Sequence, residues 1–170
     1  MTTIHYLAYG SNLHPLRLVD RVPSATLIGT VEMPDRKLTF HKRSKDKSGK
    51  CNFYEEEGAR MHGAVFALDS REKPELDRFE GLGYGYNEQL VTLQVRDTPY
   101  EAFVYVAAST HIDTNLRPYD WYKEYVVLGA RYHGFPSEYL AELEQVESIA
   151  DRDKDRIARE EKVLVTLRGI

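Results

Sequence analysis

Three groups of residues in this chain have types and spacing suited to chemistry, and each implies a different reaction. Glu80 closes the run Lys73-Pro74-Glu75-Leu76-Asp77-Arg78-Phe79-Glu80-Gly81, which reads as a short helix with Pro near its start and Gly as its stop. A carboxylate there lies at the negative end of the helix dipole, and partial burial would disfavour its charge a second time and raise its pKa. A raised carboxyl is what proton transfer near neutral pH requires; a plain surface glutamate at a helix end is the other reading. Gly10-Ser11-Asn12 follows an alternating stretch from Ile4 to Tyr9 and precedes Leu13-His14-Pro15. Strand, tight turn and helix start gather backbone N–H groups at one concave point, which suits a carboxylate or phosphate, although an ordinary turn has the same residues. Cys51, the only cysteine, adjoins a basic stretch where a thiolate is stabilised, but no cysteine-hydrolase signature surrounds it, so it is expected to be a bystander.

Other chemistries lack their spacing. His5, His14, His41, His62, His111 and His133 form no His-x-x-x-His pair and there is no Cys-x-x-Cys, so no metal is expected. No nucleophile elbow or Walker loop is present. The glycines of Gly81-Leu82-Gly83-Tyr84-Gly85 follow a helix rather than a strand, the wrong context for a dinucleotide site, though they permit close backbone approach to a ligand. The net charge of −4 argues against a nucleic-acid partner, which calls for a basic face. One cysteine excludes an internal disulfide and, with neither a leader-like segment nor a long apolar run, leads us to expect a cytoplasmic protein with no membrane partner.

The elements that must position these groups are legible in outline. With 170 residues, 42% of them hydrophobic, one domain over 1–170 is expected, carrying a charged helical tail at about 151–170. A short helix is expected from Pro15 to Val22, ended by Pro23. Ala25–Val31 and Lys37–His41 read as two strands joined by a turn at Met33-Pro34-Asp35. Lys42–Lys50 reads as a solvated basic loop, or as one that attracts an anionic substrate. Asn52-Phe53-Tyr54 and Met61–Leu68 are strands with a turn at Glu55–Gly58 between them, and Val91–Val95 with Tyr100–Ala107 form a hairpin about Asp97-Thr98-Pro99. Pro118 opens a helix bearing Tyr122, Tyr125, Val126, Gly129 and Tyr132, and Pro136 opens a second with Tyr139, Leu143 and Val146. In the tail, Val163-Leu164-Val165 docks a helix or pairs as an edge strand.

Three ordered segments resemble the gamma-glutamylcyclotransferase family. They are Tyr6-Leu7-Ala8-Tyr9-Gly10-Ser11-Asn12-Leu13, then Leu76-Asp77-Arg78-Phe79-Glu80-Gly81, then Tyr122–Ala130 with Gly134-Phe135-Pro136-Ser137-Glu138-Tyr139. The resemblance implies an α+β fold, a small mixed curved or barrel-like sheet with surrounding helices. It also implies a cyclising enzyme releasing 5-oxoproline from a small γ-glutamyl substrate, without a cofactor. Carried over by position, it makes Glu80 catalytic, Tyr9, Gly10, Ser11, Asn12 and Leu13 the substrate-carboxylate loop, and Tyr86, Tyr105 and Tyr122 pocket tyrosines. Arg78-Phe79, a shorter Glu80–Tyr86 connection and the basic loop depart from the family pattern and bear on substrate identity. A cyclotransferase for a γ-glutamylated biosynthetic intermediate, and a non-catalytic binding module of the same fold, remain as alternatives. A homodimer is left open.

Overall fold

The computed structural model describes residues 1–170 and has five strands and five α-helices. The strands are β1 (Thr3–Ala8), β2 (Thr26–Arg43), β3 (Gly49–Asp69), β4 (Tyr86–Val95) and β5 (Thr98–Ala107). They form one mixed sheet in the order β2-β3-β1-β5-β4, with only the β1–β5 pair parallel. The sheet is strongly curled. A side chain at Gly29 on β2 would place its Cβ 2.6 Å from Val95 Cγ1 on β4, so the two edge strands approach each other as in a barrel. Both faces of the sheet are covered, since the adjacent Val65 and Phe66 point to opposite sides and are both fully buried.

The long β2–β3 hairpin corrects the sequence reading. Both turns expected within it, at Met33-Pro34-Asp35 and at Glu55–Gly58, lie opposite each other on paired strands. They make a matched irregularity instead of two chain reversals: Asp35 and Gly58 take positive φ (55° and 80°), and the Gly58 N–H donates to Asp35 Oδ1 at 2.8 Å. Turn formers facing each other across a ladder have no free chain to reverse. The reversal falls instead at Ser44–Ser48, inside the basic stretch. The β4–β5 hairpin turns one residue earlier than expected, because Arg96 and Asp97 both take positive φ (50° and 67°), the geometry of a two-residue type I′ turn.

The helices are α1 (Pro15–Arg21), α2 (Lys73–Glu80), α3 (Asp120–Tyr132), α4 (Ser137–Gln145) and α5 (Lys154–Arg168). α1 starts as expected, with Pro15 in its first turn and His14 capping it by accepting the Leu16 N–H through Nδ1. α3 buries Tyr122, Tyr125, Val126 and Gly129, but Tyr132 at its end is exposed. α4 buries Tyr139 and Leu143. α5 holds the 163–165 segment as helix, and Leu164 and Leu167 pack with Tyr125 of α3 in a small second core. No helix is long and apolar enough to cross a membrane.

Candidate active site

The parallel β1–β5 pairing brings Tyr6 beside Phe103 at the centre of the sheet, and the chain leaving β1 then turns over the sheet end. Gly10 lies in that turn without positive φ; its lack of a side chain serves close packing, since a Cβ there would fall 2.8 Å from Cys51 Sγ. Leu13 anchors the loop from behind. It is fully buried against Gly129 of α3, its N–H donates to the Gly10 carbonyl and its own carbonyl accepts from His133 Nε2 at 2.7 Å. Leu13 therefore does not line the chamber that the other predicted residues form. The N–H groups of Gly10, Ser11 and Asn12 make no backbone–backbone hydrogen bond, and that of Ser11 points at the Cys51 thiol.

That chamber, a narrow space of about 20 Å³, is walled by Tyr6, Tyr9, Gly10–Asn12, Cys51, Glu80, Tyr86, Tyr105 and Tyr122. It gathers eight of the nine sequence-predicted residues. Glu80 reaches it from the last turn of α2, where Gly81 in the left-handed conformation (φ 71°) ends the helix. Its side chain is 16% exposed and its Oε1 accepts a 2.5 Å hydrogen bond from Asn12 Nδ2, with Arg21 Nη1 3.9 Å away. Burial raises the carboxyl pKa, while Arg21, Arg17, the Asn12 amide and Lys42 act against it. Burial wins. Asn12 thus ties three groups together, donating to Glu80 and to Tyr6 Oη at 3.2 Å while accepting from Arg21 Nη1 at 3.2 Å.

The tyrosines differ in what their hydroxyls do. Tyr9 donates to the Tyr105 carbonyl (2.6 Å), Tyr105 to Asp77 Oδ1 (2.6 Å) and Tyr86 to the Cys51 carbonyl (2.5 Å). Tyr122 accepts from the Cys51 N–H at 3.1 Å. Tyr6 accepts from Asn12 and donates to no protein atom, leaving its proton free. Burial raises the pKa of all five, so they remain protonated donors rather than bases.

Cys51 and Tyr6 are the residues that sequence reasoning did not bring to the site. Cys51 lies in the chamber wall with its backbone held at both ends by tyrosines, and burial pushes its thiol up to about 12, which removes it as a nucleophile. For Tyr6 the signal was its place in the opening motif, two residues from Ala8 on the same strand face. The basic stretch also needs correction. Lys42 is buried and Lys50 lies partly buried beside Trp121 and Tyr122, so two of its lysines turn inward rather than into solvent. On α2 Leu76 is buried, whereas Phe79, three residues on, is exposed beneath the Arg21 guanidinium. A larger groove along Lys37–His41 and Thr114–Pro118 contains no buried carboxyl group.

A curled mixed sheet closed by helices, with one carboxyl and the Gly10–Asn12 turn in a tyrosine-walled chamber, defines a gamma-glutamylcyclotransferase-like protein. The AIG2-like family model matches residues 60–143, a span that includes Glu80, Tyr86, Tyr105 and Tyr122. A gamma-glutamylcyclotransferase of Bos taurus is 28% identical over 149 residues, covering 84% of this chain and 78% of that protein. Another from Mus musculus is 27% identical over 176 residues, covering 95% and 92% respectively. A solved gamma-glutamyl cyclotransferase superposes with a TM-score of 0.83 at 23% identity, covering 97% of this chain and 99% of the other, and so shares the fold. The chain is thus similar in sequence to gamma-glutamylcyclotransferases and shares their fold, a likeness that marks it as a cyclising enzyme.

Proposed function

We propose that this protein catalyses intramolecular aminolysis of a γ-glutamyl amino acid or amide in the cytoplasm, releasing 5-oxoproline and the free amino acid or amine. The observation that carries the reading is Glu80, the one carboxyl group of the inner chamber, held largely out of water beside the Gly10–Asn12 turn, whose amides bond no backbone carbonyl. Those amides suit the substrate α-carboxylate, and one small amino acid spans from them to Glu80. The Glu80 carboxylate takes a proton from the α-ammonium group. The freed amine attacks the γ-carbonyl carbon, closing a five-membered lactam through a tetrahedral intermediate. Protonated Glu80 then gives its proton to the amide nitrogen, the C–N bond to the leaving group breaks as the carbonyl reforms, and the surplus proton of the attacking nitrogen passes to the departing amine, which leaves as ammonium with the Glu80 carboxylate restored.

A raised carboxyl pKa favours both halves of this cycle, since the group must accept and return a proton near neutral pH. Cyclisation supplies the nucleophile within the substrate, so proximity comes without a second reactant. Tyr6, with its proton free, is suited to stabilise the developing oxyanion, whereas Tyr9, Tyr86 and Tyr105 donate to protein acceptors and fix the walls. The scheme calls for no cofactor. The test is 5-oxoproline release from a panel of γ-glutamyl amino acids and γ-glutamyl amines. No release from any member would overturn the reading.

A further inference from the structure

Outside the inner chamber, and sharing Ser11, Glu80, Tyr86 and Tyr122 with it, is a vestibule of about 170 Å³. The inner chamber, about 20 Å³, is far below the roughly 300 to 1,000 Å³ of ligand sites, so a substrate's leaving group must extend into the vestibule. Four cations line that space: Arg17, Arg21, Lys42 and Lys50. Two have protein counter-charges, since Lys50 pairs with Asp46 at 3.1 Å and Arg21 lies 3.9 Å from Glu80. The other two have none within ion-pair distance, although they are the most buried. Lys42 is 6% exposed, its ammonium 4.5 Å over the Tyr86 ring. Arg17 is 8% exposed, stacked 3.5 Å over the Tyr125 ring, and its buried Nε has no hydrogen-bond partner.

Burying a charge without a partner costs several kcal/mol, and a fold tolerates it where something else supplies the counter-charge. The backbone makes room for this arrangement: Gly85 takes φ 98°, and a Cβ there would fall 2.9 Å from Lys42 Cε. The two carboxylates that line the vestibule do not neutralise it. Glu160 accepts the Tyr125 hydroxyl at 2.6 Å, and Glu80 is bound to Asn12. Burial lowers the pKa of both Arg17 and Lys42, as expected for cations awaiting an anion.

We propose that the vestibule is a subsite for a carboxylate carried by the leaving amine, with Lys42 and Arg17 as its charged donors. The enzyme on this basis favours, among γ-glutamyl amino acids, those whose second residue is acidic. The proposal rests on the cyclotransferase reading for its substrate, yet the vestibule can be probed without turnover, because Trp121 lines it and is the only tryptophan of the chain.

The experiment has two arms. In the first, kcat/KM for 5-oxoproline release is measured on γ-glutamyl-glutamate, γ-glutamyl-alanine and γ-glutamyl-methylamide, with wild type, Lys42→Met, Arg17→Met and the charge-preserving Lys42→Arg. Wild type prefers γ-glutamyl-glutamate, and Lys42→Met lowers the ratio of γ-glutamyl-glutamate to γ-glutamyl-alanine by about ten- to a hundredfold, as for loss of a hydrogen bond to a charged group. Lys42→Arg restores most of that ratio. In the second arm, Trp121 fluorescence is titrated with glutarate and, separately, with inorganic phosphate. A saturable change with glutarate that Lys42→Met abolishes supports a carboxylate subsite, even if no γ-glutamyl compound is turned over; that combination sinks the cyclisation alone. Turnover indifferent to leaving-group charge, with no saturable glutarate response, overturns the subsite and leaves the cyclisation standing. A response to phosphate but not glutarate overturns the carboxylate assignment. Thermal melts exclude misfolding, and Lys42→Met carries the test should Arg17→Met fail to fold through loss of its stacking on Tyr125.

Discussion

Replacing Glu80 by Gln separates chemistry from structure, because the geometry dictates opposite signs for the two. The glutamine carbonyl still accepts the Asn12 Nδ2 hydrogen bond, so the chamber keeps its shape, but no group remains that takes up and returns a proton. Turnover should fall by about a hundred- to ten-thousandfold, roughly 3 to 5 kcal/mol of transition-state stabilisation, with KM changed far less. Stability should move the other way. The folded pKa of Glu80 is raised from 4.5 because burial outweighs Arg21, Arg17 and Asn12. Its stabilising contribution is therefore present below the unfolded value and is lost as pH rises through the folded pKa. At neutral pH the ionised carboxylate is held at the negative end of α2, and a neutral isostere relieves about 0.3 to 1 kcal/mol, a rise in Tm of about 1 to 4 °C. That gain should shrink as pH falls through the raised folded pKa, where wild-type Glu80 takes up its own proton. For the same reason the rising limb of the wild-type pH–kcat/KM profile, which reports the free enzyme, should have its midpoint above 4.5. The measurements are 5-oxoproline release and thermal melts of both proteins across the acidic to neutral range. A folded variant with turnover within about tenfold of wild type would refute the acid–base role. A variant less stable at neutral pH than wild type would refute the claim that burial dominates.

Further outcomes follow from the packing around the chamber. Cys51→Ser should lower turnover by less than about tenfold, because a thiol held near pKa 12 supplies no thiolate, and a thiol-alkylating reagent should leave the folded enzyme active. A larger loss in a variant with a normal melt would restore the thiol as a participant. Gly10→Ala places a methyl group 2.8 Å from Cys51 Sγ and should cost about 1 to 3 kcal/mol, read as a lower denaturation midpoint, and should also disturb the amide loop and reduce turnover. An unchanged midpoint would mean the loop and Cys51 are not packed as described. Leu164→Ala removes a fully buried side chain between α5 and Tyr125 and should destabilise the protein by about 2 to 5 kcal/mol in a denaturant titration. A loss below about 1 kcal/mol would show that α5 docks loosely.

The local features of this protein were legible in its residues because each has a local cause. Pro15 begins a helix and Gly81 ends one through backbone dihedrals that no distant contact is needed to explain. Alternation along Val91–Val95 and Tyr100–Ala107 specifies a hairpin, and the apolar stripe of α3 specifies which face is buried. Glu80 stood out for the same reason, since its place at a helix end follows from the residues beside it.

What required the tertiary structure is whatever depends on two distant segments facing each other. Met33-Pro34-Asp35 and Glu55–Gly58 each carry turn chemistry, and only their juxtaposition across β2 and β3 converts two turns into one irregularity within a continuous ladder. Lys42 and Lys50 belong to a stretch whose composition resembles a solvated loop; the length of that ladder turns their side chains toward the chamber mouth, where Gly85 leaves space for Lys42. Leu13 lies beside the amide loop in sequence but is drawn into the core by Gly129 and His133, more than a hundred residues away. Cys51 and Tyr6 enter the chamber by the same long-range pairing. Residue type determines which groups are able to ionise, donate or turn; the sheet's order and curl decide which of them meet, and burial at that meeting point then raises the Glu80 pKa and leaves Arg17 and Lys42 without protein counter-charges.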